Sequence, residues 1–261
     1  MPRGPVISTS IRDSPTSLRA KLLPMAAARA RLGWWGTRAD QREAVIGVLL
    51  AAIATTVYVL VAQRVFDTTT TWLEISSLVL NLACVWLART ENVWTMPAGF
   101  AASAVMAVFL FRIELVGQAW LQLVFYLPVQ LVGWWAWCRG GTHRTELPPS
   151  RLGWRGWLLA LSAAVAIWGI TWAVFHQLYG TTPYQVWDTS IVAASIVAQG
   201  LMTWKKAEQW LWWAVPVNVS SIGLYAMTES WAFMTLYTVF LLNAGWGWFL
   251  WRRTITLEAV A

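Results

Sequence analysis

Six amide side chains lie inside long apolar stretches of this sequence, where an unpaired polar group is costly and marks a candidate functional residue. Three fall in each half of the chain: Asn81, Gln122, Gln130, Gln199, Asn218 and Asn243. Uncharged amides favour a neutral or weakly charged solute that forms hydrogen bonds, because a proton- or ion-driven carrier more often keeps buried Asp or Glu. The alternative for each amide is a hydrogen bond between helices that only stabilises their packing, worth about 0.6–2 kcal/mol.

Aromatic side chains supply a second kind of recognition group, and the chain has 22 Trp. An aromatic wall stacks on flat rings and holds cations through the ring quadrupole. Successive helical residues point about 100° apart, so at most one or two of Trp210, Trp212 and Trp213 are expected to face the core. Trp213 and Trp187 are the predicted cavity residues. Most other tryptophans, Trp251 among them, are predicted to anchor helices at the membrane interface.

The predicted substrate-binding residues combine five of the amides with aromatic residues and one acid. They are Asn81, Gln122, Tyr126, Trp187, Asp188, Gln199, Trp213, Asn218, Tyr225 and Asn243. Asp188, like Glu74, falls at a predicted outer helix mouth rather than at the depth of the amides.

Residues for catalysis or metal binding are nearly absent from the sequence. No GxxxxGK[ST] loop for ATP occurs, and neither His143 nor His176 has a neighbour at metal-ligand spacing. Cys84 and Cys138 lack CxxC spacing and are interpreted as packing residues. The sequence therefore predicts a protein that is not an enzyme and holds neither a metal nor another cofactor.

The elements that position these residues are membrane-spanning helices. Hydrophobic residues make up 58% of the chain and charged residues 12%, whereas soluble domains are about half apolar and a quarter charged. Eight apolar stretches of spanning length are predicted: 44–65, 72–88, 93–111, 119–138, 154–179, 186–203, 210–227 and 231–251. Seven or nine spans are the alternatives. The runs are continuously apolar, without the alternation of barrel strands, so we predict an all-α integral membrane protein.

The distribution of basic residues predicts the orientation. With both termini in the cytoplasm, all of the 19 Lys and Arg except Arg64 and Arg112 fall on the inner side, as the positive-inside rule requires. Insertion and contact with anionic lipid then account for the net charge of +7, and no nucleic-acid partner is predicted. The lipid bilayer is the predicted surrounding.

Four pairs of segments, each about 112–116 residues apart and in the same order, indicate an internal repeat. The pairs are TTWLEIS (70–76) with QVWDTSI (185–191), RTENVW (89–94) with KKAEQW (205–210), LF (110–111) with LY (224–225), and QLVGWWAW (130–137) with LNAGWGWFLW (242–251). Two three-helix repeats joined by one span run parallel, in a 3+1+3 arrangement plus an extra N-terminal helix. Transporters of this type bind substrate near the midplane where the repeats meet.

The predicted divisions of the chain derive from the repeat. They are a basic disordered cytoplasmic tail (1–42), a peripheral N-terminal transmembrane helix (43–66), a first repeat (70–138), a cytoplasmic loop and linker helix (139–180), a second repeat (184–253) and a cytoplasmic tail (254–261).

Three stretches of the chain resemble the PnuC family of bacterial vitamin transporters. They are WLEISSLVLNLACVWLARTENVW, GQAWLQLVFYLPVQLVGWWAW and VWDTSIVAASIVAQGLMTWKKAEQWLWWAVPVNVSSIGLY, within residues 70–251. The resemblance implies a fold like that of the SWEET sugar transporters, a homotrimer, and nicotinamide riboside uptake by facilitated diffusion, with a cytoplasmic kinase trapping the vitamin. A thiamine or riboflavin transporter of the same family, or a sugar carrier of the same architecture, are the alternatives.

Carried over residue by residue, the resemblance implies that Gln122 and Asn218 bind substrate, with Trp210 and Trp213 before Asn218. Both helices are one residue longer here than the family pattern, near Pro128 and near Pro216. An extra residue rotates the helix beyond it by about 100° unless a π-bulge absorbs it. Without such a bulge, Val217 rather than Asn218 would take the amide position.

Overall fold

Eight helices form the part of the chain that the computed structural model describes, which is residues 34–66, 71–112, 116–181, 183–227 and 231–260. Six are continuous: α1 (Arg38–Phe66), α2 (Trp72–Arg89), α3 (Thr95–Arg112), α5 (Trp154–Tyr179), α6 (Gln185–Thr203) and α8 (Trp231–Val260). Two contain a π-helical segment. Helix α4 is Val116–Leu121, the π segment Gln122–Tyr126 and Leu127–Arg139, and α7 is Gln209–Trp212, the π segment Trp213–Val219 and Ser220–Met227.

The all-helical architecture predicted from the sequence is confirmed. Four helices are long and apolar enough to cross a membrane, over Arg38–Val61, Trp72–Arg89, Ala119–Arg139 and Trp154–Tyr179, and α3 has a shorter apolar stretch over Thr95–Phe109. Two predicted boundaries were wrong. Helix α1 begins at Arg38, inside the predicted tail, and α8 continues to Val260, because no Gly or Pro interrupts the chain after Trp251. Residues 1–33 of the predicted tail lie outside the described residues.

Local caps explain where two of the helices begin. At α2, Thr71 and Glu74 form a capping box: the Glu74 amide donates to Thr71 Oγ1 (3.3 Å), and the Thr71 amide donates to Glu74 Oε2 (2.6 Å). Thr37 and Asp40 do the same at α1, with amide-to-side-chain distances of 3.2 and 2.6 Å. These pairs satisfy backbone N–H groups that the first helical turn leaves free.

Contacts between helices define two groups that pack against each other, α1 to α4 and α5 to α8. Helix α1 packs on α2, and α2 on α3; similarly, α5 packs on α6, and α6 on α7. Contacts also cross between the groups, because α8 packs against α2 and α4 packs against α6. Helix α7 is enclosed between α6 and α8.

One end of the molecule, which we call the basic end, holds the α2–α3 turn, the α6–α7 turn and the loop from Gly140 to Gly153. The loop runs along the α6–α7 turn: the Ser150 amide donates to the Lys205 carbonyl (2.9 Å) and the Ala207 amide donates to the Ser150 carbonyl (2.9 Å). Below it, Trp251 is fully buried with Trp137 and Trp210. The prediction of Trp251 as an interface anchor was wrong, because the indole packs between helices and donates to the Ala88 carbonyl (3.1 Å).

Candidate functional site

Both π segments lie at the positions where this sequence is one residue longer than the family pattern. The segment Trp213–Val219 contains Pro216, and Gln122–Tyr126 ends just before the turn that holds Pro128. In the π segment of α4, the Leu127 amide donates to the Gln122 carbonyl, five residues back. The wider turn takes up one residue without rotating the helix beyond it, and proline has no N–H to lose from the bonding pattern. π-Bulges occur frequently at functional sites.

Asn218 lies within the π segment of α7 and is 3% exposed. Val217 is also buried, but it packs among apolar residues of α5 and α6. The packing of Val217 against apolar side chains favours Asn218 as the residue at the amide position. Gln122 opens the π segment of α4 and is half-buried.

Two of the predicted binding amides are engaged with backbone carbonyls. Asn81 Nδ2 donates to the Ser77 carbonyl of its own helix (2.9 Å). Asn243 Nδ2 donates from α8 to the Val85 carbonyl of α2 (3.3 Å). For both residues this favours the packing interpretation. Gln199 is different, because it is buried and its Nε2 has no hydrogen-bond partner within the described part of the chain.

A cluster of hydroxyl groups joins four helices next to the π segments. Tyr126 of α4 lies close to Ser195 of α6, whose Oγ donates to the Ile191 carbonyl of its own helix (2.8 Å). Tyr237 of α8 shares hydrogen bonds with Ser221 and Tyr225 of α7. We call Tyr126, Ser195, Ser221, Tyr225 and Tyr237 the hydroxyl cluster. Such groups both donate and accept, so the cluster is suited to binding the hydroxyls of a sugar.

Three members of the hydroxyl cluster were missed by the sequence analysis. Tyr237 stands inside a predicted span, as Tyr126 and Tyr225 do, and that position is a signal that could have found it. Ser195 and Ser221 are small residues on apolar helices, and nothing in the sequence distinguishes them from packing serines.

Trp187 and Asp188 lie at the rim of the hydroxyl cluster. Asp188 is half-buried and close enough to Tyr225 and Tyr237 to interact electrostatically with both. The Trp187 ring lies over Gly223, where an added Cβ would be 2.9 Å from Trp187 Cζ2. Glycine at this position therefore leaves space for the indole.

Two of the three tryptophans of α7 are buried and the third is half-buried, in agreement with the expectation that at most one or two of them face the core. Trp210 packs with Trp137 and Trp251 near the basic end, and Trp212 packs against α5 and α6. Trp213 is half-buried and packs against both groups. The reason is that α7 is enclosed by neighbouring helices on more than one side, which a single helix pattern does not reveal.

Potential metal ligands do not gather in this region. Among the described residues, no group of three or more His, Cys, Asp or Glu side chains is arranged to hold a metal ion. The polar groups near the π segments are amides and hydroxyls, together with Asp188, and this chemistry suits recognition of an organic solute.

Comparisons with known proteins agree with this chemistry. Residues 71–253 match the family model described as nicotinamide mononucleotide transporter. The nicotinamide riboside transporter PnuC of Neisseria mucosa is 29% identical over 195 residues, covering 70% of this chain and 73% of the relative. That of Escherichia coli is 24% identical over 198 residues, covering 64% of this chain and 80% of the relative.

A solved structure shares the fold. The crystal structure of the vitamin B3 transporter PnuC is 25% identical to this chain and superposes with a TM-score of 0.65, covering 85% of this chain and 99% of the other. Four helices of spanning length and this match identify a multi-pass membrane protein. The chain therefore belongs to the PnuC family of transporters.

Proposed function

We propose that this chain carries nicotinamide riboside across the bacterial inner membrane by facilitated diffusion. The observation that carries the proposal is the hydroxyl cluster beside two π segments, in a chain whose relatives are named nicotinamide riboside transporters. Tyrosine and serine hydroxyls suit the ribose, and the amides of Gln122 and Asn218 suit the carboxamide of the ring. Trp213 or Trp187 stacks on the pyridinium ring.

The contacts between helices support the proposed 3+1+3 repeat. Trp137 near the end of α4 donates to the Met202 carbonyl of α6 (3.1 Å), and Trp251 on α8 donates to the Ala88 carbonyl of α2 (3.1 Å). Each proposed repeat thus caps the first helix of the other. Parallel repeats related by an axis along the membrane normal produce such reciprocal contacts.

The surroundings of the carrier are part of the same proposal. Both termini lie in the cytoplasm, so the basic end faces the anionic inner leaflet. The protein works as a homotrimer and as a carrier rather than an enzyme, and a cytoplasmic kinase traps the vitamin after entry. The exposed apolar surface of α5, which includes Leu159 and Val165, is available to lipid or to another subunit.

The test is calorimetric titration of the purified full chain with nicotinamide riboside, thiamine and riboflavin. We expect saturable binding of nicotinamide riboside that is weakened about tenfold or more by Asn218→Ala, since a lost buried hydrogen bond costs about 1–3 kcal/mol. Asn243→Ala is the matched control and leaves the Kd unchanged while lowering the melting temperature. Binding of thiamine or riboflavin instead would identify that vitamin as the substrate. Binding of none of the three would contradict the vitamin assignment.

A further inference from the structure

Asp188 is a half-buried carboxylate that forms no ion pair within the described part of the chain. The ion pairs found there join Arg151 with Glu208 and Lys205 with Glu91 and Glu146, all at the basic end. Asp188 lies instead in the first turn of α6, near Tyr225 and Tyr237. A carboxylate on an apolar helix is costly without a partner, and in a membrane protein it marks a functional position.

The acid at the corresponding start of α2 has a structural task that Asp188 does not share. Glu74 Oε2 accepts hydrogen bonds from the Thr71 amide (2.6 Å) and from Thr71 Oγ1 (2.9 Å), so its carboxylate completes a capping box. Helix α6 begins differently: its N-cap residue is Tyr184, which has a left-handed backbone (φ 60°) and makes no side-chain cap bond. The helix dipole makes a negative charge at this point tolerable, but no capping box uses it.

Three aromatic residues lie in the neighbourhood of the Asp188 carboxylate. The Tyr225 and Tyr237 rings lie 5.4 Å apart between centroids, and Trp187 precedes Asp188 and covers Gly223. Aromatic faces attract cations through their quadrupole, and a nearby carboxylate adds a full negative charge. The combination is chemistry for binding an organic cation.

We propose that Asp188 recognises the positive charge of the substrate ring, and so selects a cationic pyridinium over a neutral ring of the same shape. The inference rests on the proposed function, and it assigns one step of recognition to one side chain. The other members of the hydroxyl cluster, Tyr126, Ser195 and Ser221, bind the sugar irrespective of the ring's charge. Asp188 lies opposite the ring, with Tyr225, Tyr237 and Trp187 forming the aromatic wall.

The experiment compares two ligands of nearly equal shape on the purified full chain. Nicotinamide riboside carries the charged ring, and its reduced dihydropyridine form is neutral. We expect Asp188→Asn to raise the Kd for nicotinamide riboside about tenfold or more, in line with measured coupling between close opposite charges. The same substitution leaves the Kd for the reduced riboside within about twofold, because a neutral ring has no charge to lose.

Two further variants control for folding and for the position in the helix. Asp188→Glu keeps the charge and retains the preference for the cationic ligand, which tests the proposal even if Asp188→Asn folds poorly. Glu74→Ala removes the other acid and lowers the melting temperature through the lost capping box, with both Kd values unchanged.

The outcomes separate this inference from the proposed function. An equal loss for both ligands in Asp188→Asn, or no loss for either, would overturn the role of Asp188 while leaving nicotinamide riboside as the substrate. A failure of the unsubstituted chain to bind nicotinamide riboside would overturn the proposed function and this inference together.

Discussion

Trp137 and Trp251 face each other across the basic end, with ring centroids 6.0 Å apart, and each closes a helix of the opposite group. The Trp137 indole N–H donates to the Met202 carbonyl at the end of α6, and that of Trp251 donates to the Ala88 carbonyl at the end of α2. Both side chains are fully buried. Each carbonyl also accepts a backbone N–H from the turn that follows its helix, from Lys205 to Met202 (3.0 Å) and from Glu91 to Ala88 (3.2 Å). The indoles therefore add a second hydrogen bond at each helix end, and this bond ties the end to a helix of the other group.

Trp137→Phe and Trp251→Phe should each destabilise the protein by about 1–3 kcal/mol, because a buried indole hydrogen bond is lost and the smaller ring leaves a cavity. Thermal unfolding in detergent measures the change. Trp135→Phe on the same helix is the control, since Trp135 is 51% exposed, and its melting temperature should stay close to that of the unsubstituted chain. Equal shifts for Trp135→Phe and Trp137→Phe would contradict the capping role.

Gly247→Ala should destabilise the protein by about 1–3 kcal/mol, the usual cost of overpacking a buried site. A Cβ at Gly247 would lie 2.5 Å from Trp210 Cε2, and the buried indole has little freedom to move. Gly245 is the matched control on the same helix, because an added Cβ there meets nothing within 4 Å. Gly245→Ala should be neutral or stabilising by up to about 1 kcal/mol through helix propensity.

The variant Lys205→Met should lose about 3–5 kcal/mol of stability, because removing one partner of a buried ion pair leaves the other charge uncompensated. Lys205 is fully buried, its Nζ lies 2.8 Å from Glu146 Oε1 and 3.8 Å from Glu91 Oε2, and it stands 4.6 Å from the Trp137 ring centroid. Chemical unfolding of the purified protein measures the loss. The double variant with Glu146→Gln should recover part of it, and a larger loss in the double variant would argue against the pair.

Deletion of Val215 should be tolerated better than deletion of Leu131. Val215 is exposed within the π segment of α7, so its removal returns the segment toward an α-helix and keeps the residues beyond it in register. Leu131 is exposed in the regular part of α4, and its removal rotates one side of the helix by about 100° against the other, which displaces Gly133 or the π segment. Yield and monodispersity on size-exclusion chromatography compare the two. Equal damage would contradict the assignment of the extra residue to the π segment.

Much of the fold could be predicted because each helix has a local signal in the sequence. Continuous apolar runs marked all eight helices, and the two prolines marked the positions of both π segments. The boundary at Arg38 falls in charged sequence, and the one at Val260 lies beyond the basic pair Arg252 and Arg253, which ends the apolar run. There a cap or uninterrupted helix-forming residues decide the helix end.

The site was predicted less completely, because the same residue type serves different purposes in different places. Asn218 and Asn243 are both amides in apolar helices, yet Asn243 bonds to a carbonyl 158 residues away. Ser195 and Ser221 gain their significance only from Tyr126 and Tyr237 on other helices. A side chain's partner is a property of the packed structure, and a pattern within one helix does not contain it.

The sequence by itself determined the helical class, the membrane-spanning character, the family and the positions of the polar residues along each helix, since these depend on composition and local periodicity. Only the tertiary structure decided which polar residues are occupied by packing and which remain available. Trp251 is buried and bonded to the end of α2 because the Ala88 carbonyl, 163 residues away in the chain, lies beside its indole. Among the described residues Asp188 forms no ion pair, whereas Glu74 closes its own helix. The physical reason is that a polar group's cost inside a membrane protein depends on the atom it meets, and long-range packing chooses that atom.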